Sequence, residues 1–199
     1  RISADDHSMA YITKRIDRIR KSNQLHMLAM EDFCQLENRL TADKYKGSYE
    51  RCAKVIARYS QTAGLDMAEL FLRIVFSFAV GNSDMHLKNF SLIETSEGSG
   101  LYHLSSAYDM LPVNIIIPED TEQLALTLNG KKHNIHRKDF LIFADSCGIL
   151  RKSAEKMIKK IIVLKDTYIR MCQESYLPDD MKERFSQLIC ERISILNNE

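Results

Sequence analysis

The chain has 199 residues, with 28 Lys and Arg against 27 Asp and Glu, a net charge of +1 and 45% hydrophobic residues. Those values suit one medium domain with a real core and exclude intrinsic disorder. They also exclude a global basic field aimed at nucleic acid or a membrane surface. The longest apolar runs, 70–80 and 158–164, are too short or too interrupted by charge to span a bilayer. Residues 1–6 lack the pattern of a signal peptide, and without an initiating Met they read as the start of a piece of something longer. The five cysteines, Cys34, Cys52, Cys147, Cys172 and Cys190, form no CxxC, and most sit at apolar helical positions. Free buried thiols in a reducing cytoplasm are the simplest account.

In chain order, residues 10–18 alternate β-branched or aromatic with polar side chains, which predicts a strand running into a connector. Residues 30–40 predict a helix carrying Phe33, Leu36 and Leu40 on one face, with Glu31 and Asp32 complementing its dipole. Ser48 caps a helix predicted to run to Ala63, with Cys52, Val55, Ile56 and Tyr59 on its stripe and Gly64 as its stop. Asp66, with Glu69 three residues on, predicts the cap of a further helix. Its apolar face (Leu70, Phe71, Ile74, Val75, Phe78, Ala79) is broad enough to be buried on most sides. Residues 90–94 and 101–104 read as a hairpin around Glu97-Gly98-Ser99-Gly100. Short strands are expected at 115–117 and 124–128, then helices at 138–147, 152–175 and 180–196. The expected architecture is mainly α with a small β-hairpin insert, without internal repeats.

The chemistry sits in Gly81-Asn82-Ser83-Asp84-Met85-His86-Leu87-Lys88-Asn89-Phe90, directly after the buried helix, and in Tyr108-Asp109 beyond the hairpin. An Asp, an Asn five positions later and a second Asp across a strand pair form a phosphoryl-transfer constellation. Asp84 would accept the proton of a hydroxyl nucleophile. Asn89 and Asp109 would offer oxygens to Mg²⁺, since a hairpin places both at one end. Lys88 could bring positive charge to the transferring group, and His86 would hydrogen-bond within the loop and fix its shape. The alternative for these residues is ordinary loop chemistry, with Asx turns and a helix cap. The basic stretch 131–138 reads as a solvated loop, His133 and His136 lack the companions of a metal site, and 151–165 reads as a core-packed surface helix.

Gly81–Leu92 resembles the G-N-x-D-x-H-x-K-N-F-S motif of HipA-like serine/threonine kinases, the toxins of bacterial toxin–antitoxin pairs. Leu104-Ser105-Ser106-Ala107-Tyr108-Asp109-Met110-Leu111 looks like the family's L-x-P-x-Y-D-L-L segment. Tyr11-Ile12-Thr13-Lys14-Arg15-Ile16-Asp17-Arg18 is similar to its hinge strand, and Glu31-Asp32-Phe33-Cys34-Gln35 to its E-D-[MF]-C-Q helix. The matches cover roughly residues 8–112. Ile16 and Ser106 depart from the usual Phe and Pro.

The resemblance implies a protein-kinase-like C-terminal lobe, with 1–18 as the hinge strand at the end of an N-terminal lobe and 19–199 as the helical lobe. It implies Asp84 as catalytic aspartate, with Asn89 and Asp109 as Mg²⁺ ligands. The backbone of Lys14 and Ile16 would meet the adenine of ATP, with Asp17 on the ribose side. The implied partners are a HipB-like helix-turn-helix antitoxin, through which DNA is met indirectly, and a protein substrate such as an aminoacyl-tRNA synthetase. The implied location is the cytoplasm. No Gly-rich phosphate loop or strand lysine occurs upstream, so this piece alone is expected to catalyse little. The competing readings are a non-catalytic split or truncated kinase half that docks an antitoxin–DNA complex, and a small-molecule kinase with a similar loop.

Overall fold

The structure, a computed structural model, describes residues 2–3, 9–10 and 12–198, the first two pairs by backbone alone. Helix α3 (Ala63–Ala79) is its axis. Leu70, Phe71, Ile74, Val75, Phe78 and Ala79 are fully buried, because their spacing wraps apolar side chains around most of the helix. Four helices pack against it: α2 (Tyr49–Tyr59), α5 (Arg137–Ser146), α6 (Arg151–Val163) and α8 (Asp179–Asn197). Phe71 stacks on Phe143 with ring centroids 6.3 Å apart, and Phe78 meets Phe140 edge-on at 5.3 Å. Truncating one such buried ring typically costs about 3–5 kcal/mol.

The β structure is small and antiparallel. Strands β1 (Ile2–Ser3) and β2 (Met9–Ala10) pair, as do β3 (Arg18–Lys21) and β4 (Gln24–Met27). A three-stranded sheet runs β5 (Met30–Asp32), β6 (Ser91–Glu94), β7 (Tyr102–Leu104), with Leu92 opposite Leu104 and Asp32 opposite Ser91. The hairpin β6–β7 stands where the sequence puts it. Glu94 closes its turn, its carboxylate accepting from the amides of Gly100 at 2.9 Å and Ala29 at 3.4 Å.

Several expectations are corrected. Of the strand expected over 10–18, Ala10 ends β2, Tyr11 lies outside the described residues, 12–15 have no regular structure, 16–17 form a turn, and Arg18 opens β3. The helix expected over 30–40 is strand β5 followed by one turn, α1 (Phe33–Leu36). Met30–Asp32 has an open edge of β6 to pair with, and Asp32 then starts the turn through a capping box with Gln35. Ser48 does cap α2, accepting from Arg51 N at 3.3 Å, but the helix stops at Tyr59, and Gly64 lies inside the first turn of α3. Asp66 is also inside that turn. Its buried carboxylate accepts from Ser60 Oγ at 2.5 Å and Leu104 N at 2.7 Å, tying the helix to β7. The 115–117 strand is a helical turn, α4 (Val113–Ile116). Residues 124–128 make only isolated bridges, Ser48 with Thr127 and Leu128 with Lys131. The long C-terminal helix breaks at Leu164 into α6 and α7 (Lys165–Gln173).

The end of α3 sets the entry to the motif loop. Gly81 takes φ +67°, and a Cβ built there would stand 2.8 Å from Leu188 Cδ2 and 3.3 Å from Asn114 Oδ1. The left-handed backbone disfavours any side chain, and a Cβ would also force the Leu188 methyl groups to shift. Gly81→Ala is expected to cost ~1–3 kcal/mol, read as a Tm lower by several degrees in thermal denaturation.

Candidate active site

After Gly81 the chain is fastened from the inside. Asn82 is fully buried, its Oδ1 accepting from Asp84 N at 3.3 Å and its Nδ2 directed at Met110 Sδ at 3.7 Å. The Asp84 carbonyl accepts two bonds of 2.8 Å, from His86 N and from Asn89 Nδ2. Asn89 N in turn reaches His86 O at 2.9 Å, closing the 3₁₀ turn Leu87–Asn89. Met85, Leu87 and Phe90 are buried as anchors, and Tyr49 OH donates to Met85 O at 3.1 Å. Asp84 and Lys88 stay half-buried. Because Asn89 spends Nδ2 on the loop, Oδ1 is the atom it has left for an outside cation.

Asp109 comes to this loop through its neighbour. Ser105 N bonds to Ser91 O at 2.9 Å, extending the hairpin ladder toward the motif. Tyr108 then turns back, its hydroxyl 2.6 Å from Ser91 Oγ and donating to Lys88 O at 2.7 Å. Asp109 follows in the left-handed region at φ +56°, exposed. Aspartate, like asparagine, tolerates this conformation, and it re-aims the chain at this point. Arg73, buried on α3, holds Ser105 O with its guanidinium and Glu69 at 2.7 Å, so the approach of β7 is fixed from the core.

The electrostatics knit the two segments together. Burial lowers the His86 pKa below its ordinary value, and the Asp84 and Asp109 carboxylates oppose that shift, so both act on one imidazole. His86 Nδ1 is buried without a partner among the described residues. The Lys88 ammonium bonds Asp32 Oδ2 at 2.6 Å, and that pair raises its pKa. Asp17 is held by Arg15 and Arg18 at 2.6 and 2.9 Å, and no hydrogen bond or ion pair among the described residues joins Lys14, Ile16 or Asp17 to the loop.

Three contributors were missed in the sequence. Ser83 Oγ donates to Asp120 Oδ2 at 2.5 Å, and Asn114 Nδ2 reaches Ser83 Oγ and the carbonyls of Asp120 and Glu122 at 3.0–3.3 Å, clamping a distant loop onto the motif. Tyr45 OH donates to Asp84 Oδ1 at 2.5 Å. The local hint for Asn114 and Asp120 was the pair of prolines, Pro112 and Pro118, that breaks regular structure over 112–120. The basic segment is partly self-neutralised, Lys131 pairing with Asp139 at 2.7 Å and Lys132 with Glu122 at 3.2 Å. Among the described residues no three His, Cys, Asp or Glu side chains group to hold a metal unaided. Asn89 Oδ1 and the Asp109 carboxylate are hard oxygens of the kind Mg²⁺ takes as ligands. No helix among the described residues is long and apolar enough to cross a membrane.

The sequence profile of the family described as HipA-like C-terminal domain matches residues 1–167. A protein of Haemophilus influenzae named "Putative kinase" is 24% identical over 208 residues, spanning 94% of this chain and 60% of the relative. Another, "Putative kinase Y4dM" of Sinorhizobium fredii, is 39% identical over 148 residues, 73% of this chain and 34% of its own length. The chain thus spans between a third and three-fifths of these relatives. Among solved structures, HipA of Shewanella oneidensis MR-1, in complex with HipB and operator DNA, superposes with a TM-score of 0.73 at 16% identity, over 94% of this chain and 50% of HipA. The Helicobacter pylori proinflammatory kinase CtkA gives 0.52 at 14%, over 90% of this chain and 72% of its own. At those identities the likeness is one of fold.

The buried imidazole gives a pH signature. The folded pKa of His86 lies below the unfolded value near 6.5. The unfolded chain therefore binds the proton first, so the stability contribution is full above about pH 6.5 and is lost as pH falls toward the folded pKa. Comparing Tm at about pH 7.5 and about pH 5.5, His86→Gln is expected to flatten part of the acid-side decline seen in the unmodified chain.

Proposed function

The chain belongs to the family of HipA-like C-terminal domains, and from that premise we propose that it is the catalytic lobe of a serine/threonine protein kinase using ATP and Mg²⁺. The observation that carries the reading is the closure of one loop on the Asp84 carbonyl by His86 N and Asn89 Nδ2. That closure ties the Asn89 amide to the main chain of Asp84, and the Tyr108 hydroxyl on Lys88 O ties the segment before Asp109 to the same loop.

Bound Mg²⁺–ATP would supply the transferable phosphoryl group and offset the charge developing on it. Asp84 orients the acceptor hydroxyl and finally takes its proton. Asn89 Oδ1 and the Asp109 carboxylate would hold the metal. His86 stays neutral and shapes the loop. Lys88 acts through Asp32, bracing the loop against α1, rather than at the phosphoryl group. The adenine contact at Lys14 and Ile16, with Asp17 toward the ribose, rests on the family resemblance. An N-terminal lobe would supply the phosphate-covering loop.

A HipB-like antitoxin is the partner proposed here, by analogy with the Shewanella HipA solved with HipB and DNA. A protein substrate among translation components, met in the cytoplasm, is inherited from the family in the same way.

The test uses the full-length protein that contains this domain. Asp84→Ala is expected to cut phosphate transfer by about 10²–10⁴-fold while Tm is kept, since Asp84 is half-buried on a surface loop. Transfer at the unmodified rate would remove Asp84 from its role. Asp109→Ala should weaken Mg²⁺-dependent ATP binding by calorimetry, and an undiminished affinity would contradict the metal assignment.

A further inference from the structure

Tyr45 lies outside every motif, yet its side chain ends on the central carboxylate. It sits in the loop between the 3₁₀ turn Thr41–Asp43 and α2. Its phenol donates to Asp84 Oδ1 at 2.5 Å, within the range of a short, charge-assisted O–H···O⁻ bond. Its ring is 43% exposed and meets the buried His86 ring edge-on, centroids 5.0 Å apart. Packing alone would be met by phenylalanine, so the hydroxyl needs another account.

The loop that carries Tyr45 is braced at both ends. Leu87 N, within the motif itself, bonds Lys44 O at 3.2 Å. Asp43 pairs with Lys46 at 2.7 Å, the Arg39 guanidinium holds Lys46 O, and Gly47 O accepts from Thr127 Oγ1 at 3.2 Å. Tyr45 and Asp84 therefore belong to two loops hydrogen-bonded as one unit. The Lys44 ammonium lies 4.9 Å over the Tyr45 ring, and the carboxylates of Asp120 and Glu122 add to that of Asp84 in the field the phenol feels. Burial first, then the Asp84 bond, pushes the phenol pKa up to about 12, so the hydroxyl remains a donor across the working pH range.

We propose that Tyr45 is a positioning residue, whose phenol fixes one oxygen of Asp84 so that the other is presented to the acceptor hydroxyl. The inference rests on the phosphoryl-transfer reading above. A half-buried carboxylate left free to rotate would be misdirected much of the time, and a general base must be both near and aligned. A carboxylate has two acceptor oxygens, so Tyr45 on Oδ1 leaves Oδ2 for the substrate.

The test is Tyr45→Phe in the full-length protein. The expected result is a kcat about tenfold lower, with KM for nucleotide and acceptor within about twofold and an unchanged Tm. In an Asp84→Asn background the same substitution should change nothing further, because its effect runs through that carboxylate. An unchanged kcat overturns the proposal, and a raised one shows Tyr45 to be a plug in the acceptor site. An equal loss in the Asp84→Asn background also overturns it. A second measurement needs no activity. With ¹³Cζ-labelled tyrosine, the Tyr45 phenol should titrate at lower pH in Asp84→Asn than in the unmodified protein, and an unmoved titration would sink the contact. If that titration moves while the unmodified protein transfers no phosphate, the kinase reading fails and the Tyr45–Asp84 link stands.

Discussion

One main-chain oxygen organises the candidate site. The Asp84 carbonyl receives both His86 N and Asn89 Nδ2, so the loop cannot open without leaving a buried asparagine amide unpaired. An unsatisfied buried polar group costs about 1–3 kcal/mol, more than most single hydrogen bonds contribute net. Ordering ten loop residues is expensive, at roughly 1–2 kcal/mol of backbone entropy each. Burying Met85, Leu87 and Phe90 offsets part of that cost, and hydrogen bonds with Tyr49 and Asn82 add to it. The side chains that face outward are then held by ones that do not.

The same logic governs the second segment. Asp66 and Arg73 are charged residues inside the central helix, an unfavourable placement unless paired. Both are paired with the strand that leads to Tyr108. Asp66 takes the Leu104 amide and Arg73 takes the Ser105 carbonyl. Removing either partner would leave a buried polar or charged group uncompensated, which is far more damaging than losing a surface ion pair. The helix that ends at the motif loop thus also sets the strand that delivers Asp109, and the two halves of the site share one ruler.

The charges around the loop are mixed. Asp84, Asp109, Asp120 and Glu122 all act on the rings of His86 or Tyr45, and the Lys44 ammonium, which lies over the Tyr45 ring, opposes them at His86. Two other cations are committed, Lys88 to Asp32 and Lys132 to Glu122.

The hairpin and helices α2, α3, α5 and α8 were legible in the sequence to within a few residues, because periodicity, Ser48, Gly81 and the 97–100 turn are local signals. Neither the Asp32–Gln35 capping box nor the strand before it was read from the sequence, since Met30–Asp32 becomes β5 only when the edge of β6 is offered. The buried run 124–128 satisfies its backbone by scattered bridges rather than a ladder, and nothing local marks the break at Leu164. Sequence alone determined which groups can do chemistry, for residue type and short spacing fix what a loop can offer. Only the folded chain decided that Lys88 is bound by Asp32, that Asp120 and Asn114 clamp the loop, and that Tyr45 touches Asp84. Those contacts join residues 31 to 56 positions apart, and such pairings follow from how buried surfaces stack, which no local pattern encodes.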